Sequence, residues 1–156
     1  MDGRRIALTI LVAGTLDILC VFVFAGLNGG TPMRVLSGIA SGPFGAMRES
    51  AGAAALGLAI HFAIMTAMVA FYALAVARAP GPFRRVGPVA AGIGYGLALY
   101  LFMYWIVLPL RWPNVHPLID AAQIAKAVFA HVVCVGLPIA LMIGPKGDPA
   151  ARAVEA

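Results

Sequence analysis

Three ionisable side chains stand inside long apolar runs of this chain: Asp17, His61 and His131. A charge at the centre of a bilayer costs about 2.5–3.5 kcal/mol even on insertion scales, so such residues default to a functional reading. An aspartate and two histidines offer three kinds of chemistry. They can relay protons, because histidine changes charge near neutral pH and Asp/His chains are usual relay parts in membranes. They can ligate, two histidines on different helices holding a haem axially or sharing a metal with the carboxylate. They can also hydrogen-bond each other, backbone carbonyls or a tyrosine such as Tyr100, and so fix helix packing at about 0.6 to 2 kcal/mol per bond.

The remaining polar residues are less specific. No companion histidine pair and no Cys-x-x-Cys-His motif accompanies His61 and His131, which would be the ligands if any metal or haem were bound. No resident cofactor is therefore expected. Met65, Met68 and Met103 read as gap fillers, the usual use of methionine on a helix. Cys20 and Cys134 fall in apolar runs and read as small packers without a bridge. His116 reads as a solvated loop residue, and Asp120 as an acid in the first turn of a helix, favoured by its dipole. Lys126 points away from the His131 stripe, so snorkelling to the headgroups is expected. Serine occurs only at Ser37, Ser41 and Ser50. None has a base nearby in sequence, and no phosphate loop or dinucleotide fingerprint exists, so an enzyme is not expected.

The elements that must hold these residues follow from composition. Of 156 residues, 62% are hydrophobic and 11% charged. A soluble domain carries about 25% charged residues, so this chain could not cover a soluble surface. Its excess of five positive charges lies mostly at the ends of apolar runs, without a basic patch interleaved with aromatics. That pattern is an orientation signal and excludes nucleic acid as a partner.

Taking about 20 apolar residues per crossing, four spans emerge: Ile6 to Leu27, Ala51 to Ala77, Val86 to Leu110 and Leu118 to Ile143. The first run is too long for a signal-peptide core and lacks a small-x-small cleavage site, so it reads as an uncleaved helix. Thr31-Pro32 opens a short helix as cap and first residue, expected to end at Ser41 before Gly42-Pro43. At about ten residues it is too short to cross and should lie in the interface or re-enter shallowly. The predicted architecture is one integral all-α domain of four transmembrane helices plus this interfacial piece.

Asp17 stands about 18 Å along its helix from Arg5, His61 about 15 Å from Ala51, and His131 about 20 Å from Leu118. In a core of about 30 Å all three share a central slab. Each has small or soft neighbours on its own stripe, among them Gly14 and Cys20, Gly57 and Met65, Ala127 and Cys134. Such stripes face protein rather than lipid.

Arg4, Arg5, Arg78, Arg84, Arg85, Lys146 and Arg152 fall on one side of this topology, against Arg34, Arg48, Arg111 and Lys126 on the other. Seven against four predicts both termini in the cytoplasm of a bacterial inner membrane. Gly92 and Gly96 have the G-x-x-x-G spacing of close helix contacts, usable for a hairpin of the second and third spans or for a homodimer. Pro138 removes a helical hydrogen bond and should kink the fourth span.

Several stretches carry a family likeness: Gly14-Thr15-Leu16-Asp17, Arg34-Val35-Leu36-Ser37-Gly38-Ile39-Ala40-Ser41-Gly42, Leu56-Gly57-Leu58-Ala59-Ile60-His61-Phe62, Gly94-Tyr95-Gly96, Val107-Leu108-Pro109-Leu110 and Gly136-Leu137-Pro138-Ile139-Ala140. Over roughly Gly14 to Met142 the chain resembles small YagU-like inner-membrane proteins. The resemblance implies a four-helix inner-membrane fold and no established reaction. It draws attention to Arg34, Ser37 and Ser41, which would share a face able to meet a lipid phosphate, or serve simply as an anchor. The sequence thus leads to a non-enzymatic integral membrane protein with a structural, accessory or stress-related role. A proton- or ion-coupled transporter or pH sensor comes second, and a haem or metal redox subunit third.

Overall fold

In hydrocarbon every backbone polar group must find its partner within the protein, which leaves helices as the simple solution for runs of this length. The computed structural model describes residues 2–112 and 120–144, and among them there is no strand. Its helices are α1 (Gly3–Gly26), α2 (Pro32–Phe44), α3 (Ala51–Arg78), α4 (Pro80–Arg111) and α5 (Ala121–Ile143). All but α2 are long and apolar enough to cross a membrane, so the fold is an all-α multi-pass bundle. His116, Lys146, Arg152 and the expected start of the fourth span at Leu118 lie outside the described residues.

The helix starts are set by side-chain caps, each accepting an otherwise orphaned N–H. Thr31 accepts from Arg34, Ser50 from Ala53 and Asp120 from Gln123. Asp120 is thus the cap itself rather than a first-turn acid. α2 runs past its expected end at Ser41, through Gly42-Pro43 to Phe44. It stops at Gly45, whose φ of 82° an L side chain rarely adopts. The third span begins before Val86, because Pro80–Val86 is already helical; Gly87 then breaks direction at φ 74°.

Both α4 and α5 are wound wide before a Leu-Pro pair. Leu108 N–H reaches back five residues to the Met103 carbonyl, and Leu137 N–H to the Val132 carbonyl. A proline ring collides with the carbonyl four residues earlier and donates no hydrogen bond. The wider turn relieves the collision at Pro109 and Pro138 alike. The break expected at Pro138 therefore takes the form of a π segment, Ala130–Gly136, and a second one occurs at Met103–Val107.

The order of packing differs from the hairpin reading. α5 is the central span, with α1 on one side and α4 on the other, while α3 packs on α1 and α2 and touches α4 only lightly. Glycine explains this. A Cβ at Gly96 would lie 2.6 Å from the His131 carbonyl oxygen, and one at Gly92 would lie 3.0 Å from that of Gly136. These glycines let α4 lie backbone to backbone on α5, where dispersion between close helices replaces the absent hydrophobic drive. Both are buried within the chain. A homodimer through Gly92 and Gly96 would have to displace α5.

One half of the bundle, toward the start of α1 and the α3–α4 turn, is filled. Val69, Tyr72 and Val76 interlock there with Leu99, Ile139 and Ile143. Tyr95 donates to the Met68 carbonyl at 2.7 Å and ties α4 to α3. The other half is not filled, and α2 covers it.

Candidate functional site

Between the spans at the α2 end lies a cavity of about 440 Å³. Its walls are largely apolar: Val21 and Phe24 from α1, Val35 and Ile39 from α2, Ile64 and Met68 from α3, Leu108 from α4. That volume and that lining are typical of sites for small molecules. Asp17, His61 and His131 all reach it, from α1, α3 and α5. The central slab read from helix depths is a real meeting place.

The geometry of His61 is informative. Its ring is buried, and Nε2 lies 2.9 Å from the Gly14 carbonyl oxygen. A carbonyl only accepts, so Nε2 carries the hydrogen. In the neutral ring Nδ1 is then a lone pair, and it lies 4.0 Å from Asp17 Oδ2. An unprotonated nitrogen facing an ionised carboxylate is two acceptors facing each other. One proton on either partner converts the approach to attraction, and a shift of about 1 Å or one bridging water would complete the hydrogen bond.

His131 is oriented by its own helix. Nδ1 donates to the Ala127 carbonyl at 2.9 Å, leaving Nε2 as the acceptor of the neutral ring. Its ring stands edge-on to Tyr100 at 6.3 Å and to Tyr104 at 5.8 Å between centroids. Each ring sits beside or within a wide turn: His131 in the π segment of α5, Tyr104 in that of α4. Such segments are frequent where a helix must aim a functional side chain.

Four polar residues of the cavity were not read as site residues from sequence: Asn28, Tyr104, Gln123 and Lys126. Lys126 lines the cavity although it lies off the His131 stripe. The opening spans more than one stripe of α5, so a long side chain off the His131 stripe still reaches it. Tyr104 was visible as the residue one helical turn beyond Tyr100, and Lys126 as a cation within an apolar run. Met65, Met68 and Met103 line the same space as apolar wall.

Among the described residues, no group of three or more His, Cys, Asp or Glu side chains is placed to hold a metal ion. A haem held between His61 and His131 would need a free nitrogen from each ring. In the neutral rings these would be Nδ1 of His61, turned to Asp17 at 4.0 Å, and Nε2 of His131. Cys20 and Cys134 are free thiols.

Arg34, Ser37 and Ser41 do not form a common cradle. Arg34 projects outward and pairs with Glu49 at 2.9 Å, and that hydrogen bond raises the guanidinium above its ordinary pKa. Ser37 is buried, and its hydroxyl has no partner among the described residues. Ser41 donates to the Gly38 carbonyl of its own helix. What holds α2 in place is Arg111 at the far end of α4. Its guanidinium donates to the carbonyls of Gly42 and Ser41, the latter at 2.9 Å. The Ser41 carbonyl also accepts from Gly45 N–H at the helix end, whereas that of Gly42 belongs to the last turn, which a helix cannot satisfy itself. On its other side, the Leu36 carbonyl presses on Gly57 of α3, where no Cβ would fit. α2 is thereby fixed over the cavity from two sides.

No protein-family model matches the chain, and neither a curated protein nor a solved structure matches it.

Proposed function

We propose that this protein is a proton-linked carrier or sensor of the bacterial inner membrane, and that its working part is the Asp17–His61 pair. The reading rests on one observation. Gly14 fixes the hydrogen of His61 on Nε2, so Nδ1 and the Asp17 carboxylate confront each other as two acceptors on the wall of a cavity. Such a pair holds one proton well and none badly. His131 offers a second acceptor on the same cavity. With both termini cytoplasmic, as the distribution of Lys and Arg favours, the cavity opens toward the periplasm. Membership among the YagU-like proteins belongs to this proposal and brings no reaction with it.

A scaffold or accessory role is the second reading. It is favoured by the fact that each imidazole already has a backbone partner, Gly14 for His61 and Ala127 for His131.

Proteoliposomes loaded with a pH-sensitive dye separate the two. After a pH step, wild-type vesicles should equilibrate faster than protein-free ones, and Asp17→Asn and His61→Gln should fall back to the protein-free rate. Identical rates in all four preparations would retire proton transport and leave a sensor or the scaffold.

A further inference from the structure

Taking that cavity as the working site, we propose that its ligand is a small amphiphilic monoanion: a carboxylate or similar acid group on an apolar body.

Charge balance within the cavity carries the inference. Its charged and titratable groups are Asp17 from α1, His61 from α3, Tyr104 from α4, and Lys126 and His131 from α5; α2 adds only the apolar Val35 and Ile39. The Asp17 carboxylate already faces His61. Lys126 forms no ion pair among the described residues, whose pairs are Arg34–Glu49 and His61–Asp17. With the one proton that the pair is proposed to share, Asp17 and His61 are neutral together, and Lys126 leaves the cavity one positive charge. It lies about 8 Å along α5 from Ala121, inside the span, where an ammonium without an anion is costly.

Gln123 stands one turn before Lys126 on the same helix and lines the same space, so its amide can add a hydrogen bond to an anion held there. Beyond this polar mouth the walls are apolar, through Phe24, Ile64 and Met68. A ligand that matches has its acid group at Lys126 and its hydrocarbon toward Asp17 and His61. Its negative charge favours the proton-bearing form of the pair, so the anion and the shared proton are held together. The same acid chemistry is available from a free carboxylate in the water or from an anionic lipid headgroup.

The test uses the full-length protein in phosphatidylcholine nanodiscs, with octanoate as the anion and octylammonium as its cationic counterpart, followed by calorimetry. Octanoate should bind and octylammonium should not. Lys126→Gln should weaken octanoate by roughly tenfold or more, the loss expected for a charged hydrogen bond, while Lys126→Arg keeps it. If phosphatidylglycerol in the disc competes with octanoate, the natural anion is a headgroup; if not, it is a free carboxylate, and either keeps the proposal. Preferred binding of octylammonium, or octanoate binding unchanged in Lys126→Gln, overturns it. Repeating the titration in buffers of different ionisation heat counts protons. Octanoate binding without proton uptake leaves the ligand assignment standing and removes the proton linkage; proton flux without octanoate binding does the reverse.

Discussion

Gly14 is a backbone position that decides the chemistry of a side chain 47 residues away. It has no Cβ, which lets α3 approach until His61 reaches the Gly14 carbonyl and Phe62 lies across the gap; a Cβ there would be 2.6 Å from Phe62 Cε1. Because the obstacle is the end of a side chain, Gly14→Ala should leave a folded protein in which the His61 bond is lengthened. Histidine-selective ¹⁵N spectra at neutral pH should then show weakened donation at Nε2, whereas Phe62→Ala in the same background should restore it. At this scale the sequence was legible in part. Asp17, His61, His131 and Tyr100 stand out as polar groups in apolar runs; the first three line one cavity, and Tyr100 stands edge-on to His131 outside its lining. Lys126 was not read as a cavity residue because the direction of a helix face says nothing of how wide the space in front of it is. Tyr104 was passed over because an aromatic residue in a span has many ordinary uses.

Helix spacing and caps were legible at the scale of the element, and neighbour choice was not. Thr31 and the run lengths mark helix limits from chemistry local in sequence; Ser50, which caps α3, was not read as a cap. Which helix Gly92 and Gly96 would meet depends on Gly136, 40 residues or more downstream, and no local pattern names that partner. A consequence is testable within one turn of α4. Gly96→Ala drives a Cβ into the His131 backbone and should destabilise the bundle by about 1–3 kcal/mol. Gly94, with open space around its Cβ position, should accept alanine neutrally or gain up to about 1 kcal/mol from helix propensity. Thermal unfolding in detergent compares the two. Equal effects would mean that α4 does not rest on α5 through this face. The cap on α2 is a second element-scale feature. Arg111→Gln removes its charged donor, so amide exchange should quicken over residues 41–45 and leave the middle of α3 unchanged.

Across the whole molecule the two halves of the bundle differ. One half is packed with Val69, Tyr72, Ile139 and their neighbours; the other holds the polar cavity beneath α2. Access to Asp17 and His61 is therefore expected from one side of the membrane only. With Cys20 and Cys134 replaced by alanine, Gln123→Cys should react with a membrane-impermeant maleimide from a single side of sealed vesicles. Ile139→Cys, fully buried in the packed half, should react from neither. This asymmetry could not be read along the chain, because the hydrophobic runs are alike at both ends; it arises from where α2 and the two π segments lie. The four crossings themselves were plain from composition.

The account depends most on one proton shared by Asp17 and His61. The direct measurement is a ¹⁵N titration of histidine-labelled full-length protein in nanodiscs between about pH 5 and 8, with assignment by His61→Gln. Nε2 of His61 should stay a donor to Gly14 throughout. The Nδ1 signal should respond to the Asp17 carboxylate, so Asp17→Asn should change it. A His61 ring that keeps one neutral tautomer across the range, identically with and without the Asp17 carboxylate, would contradict the account and make the pair a packing contact.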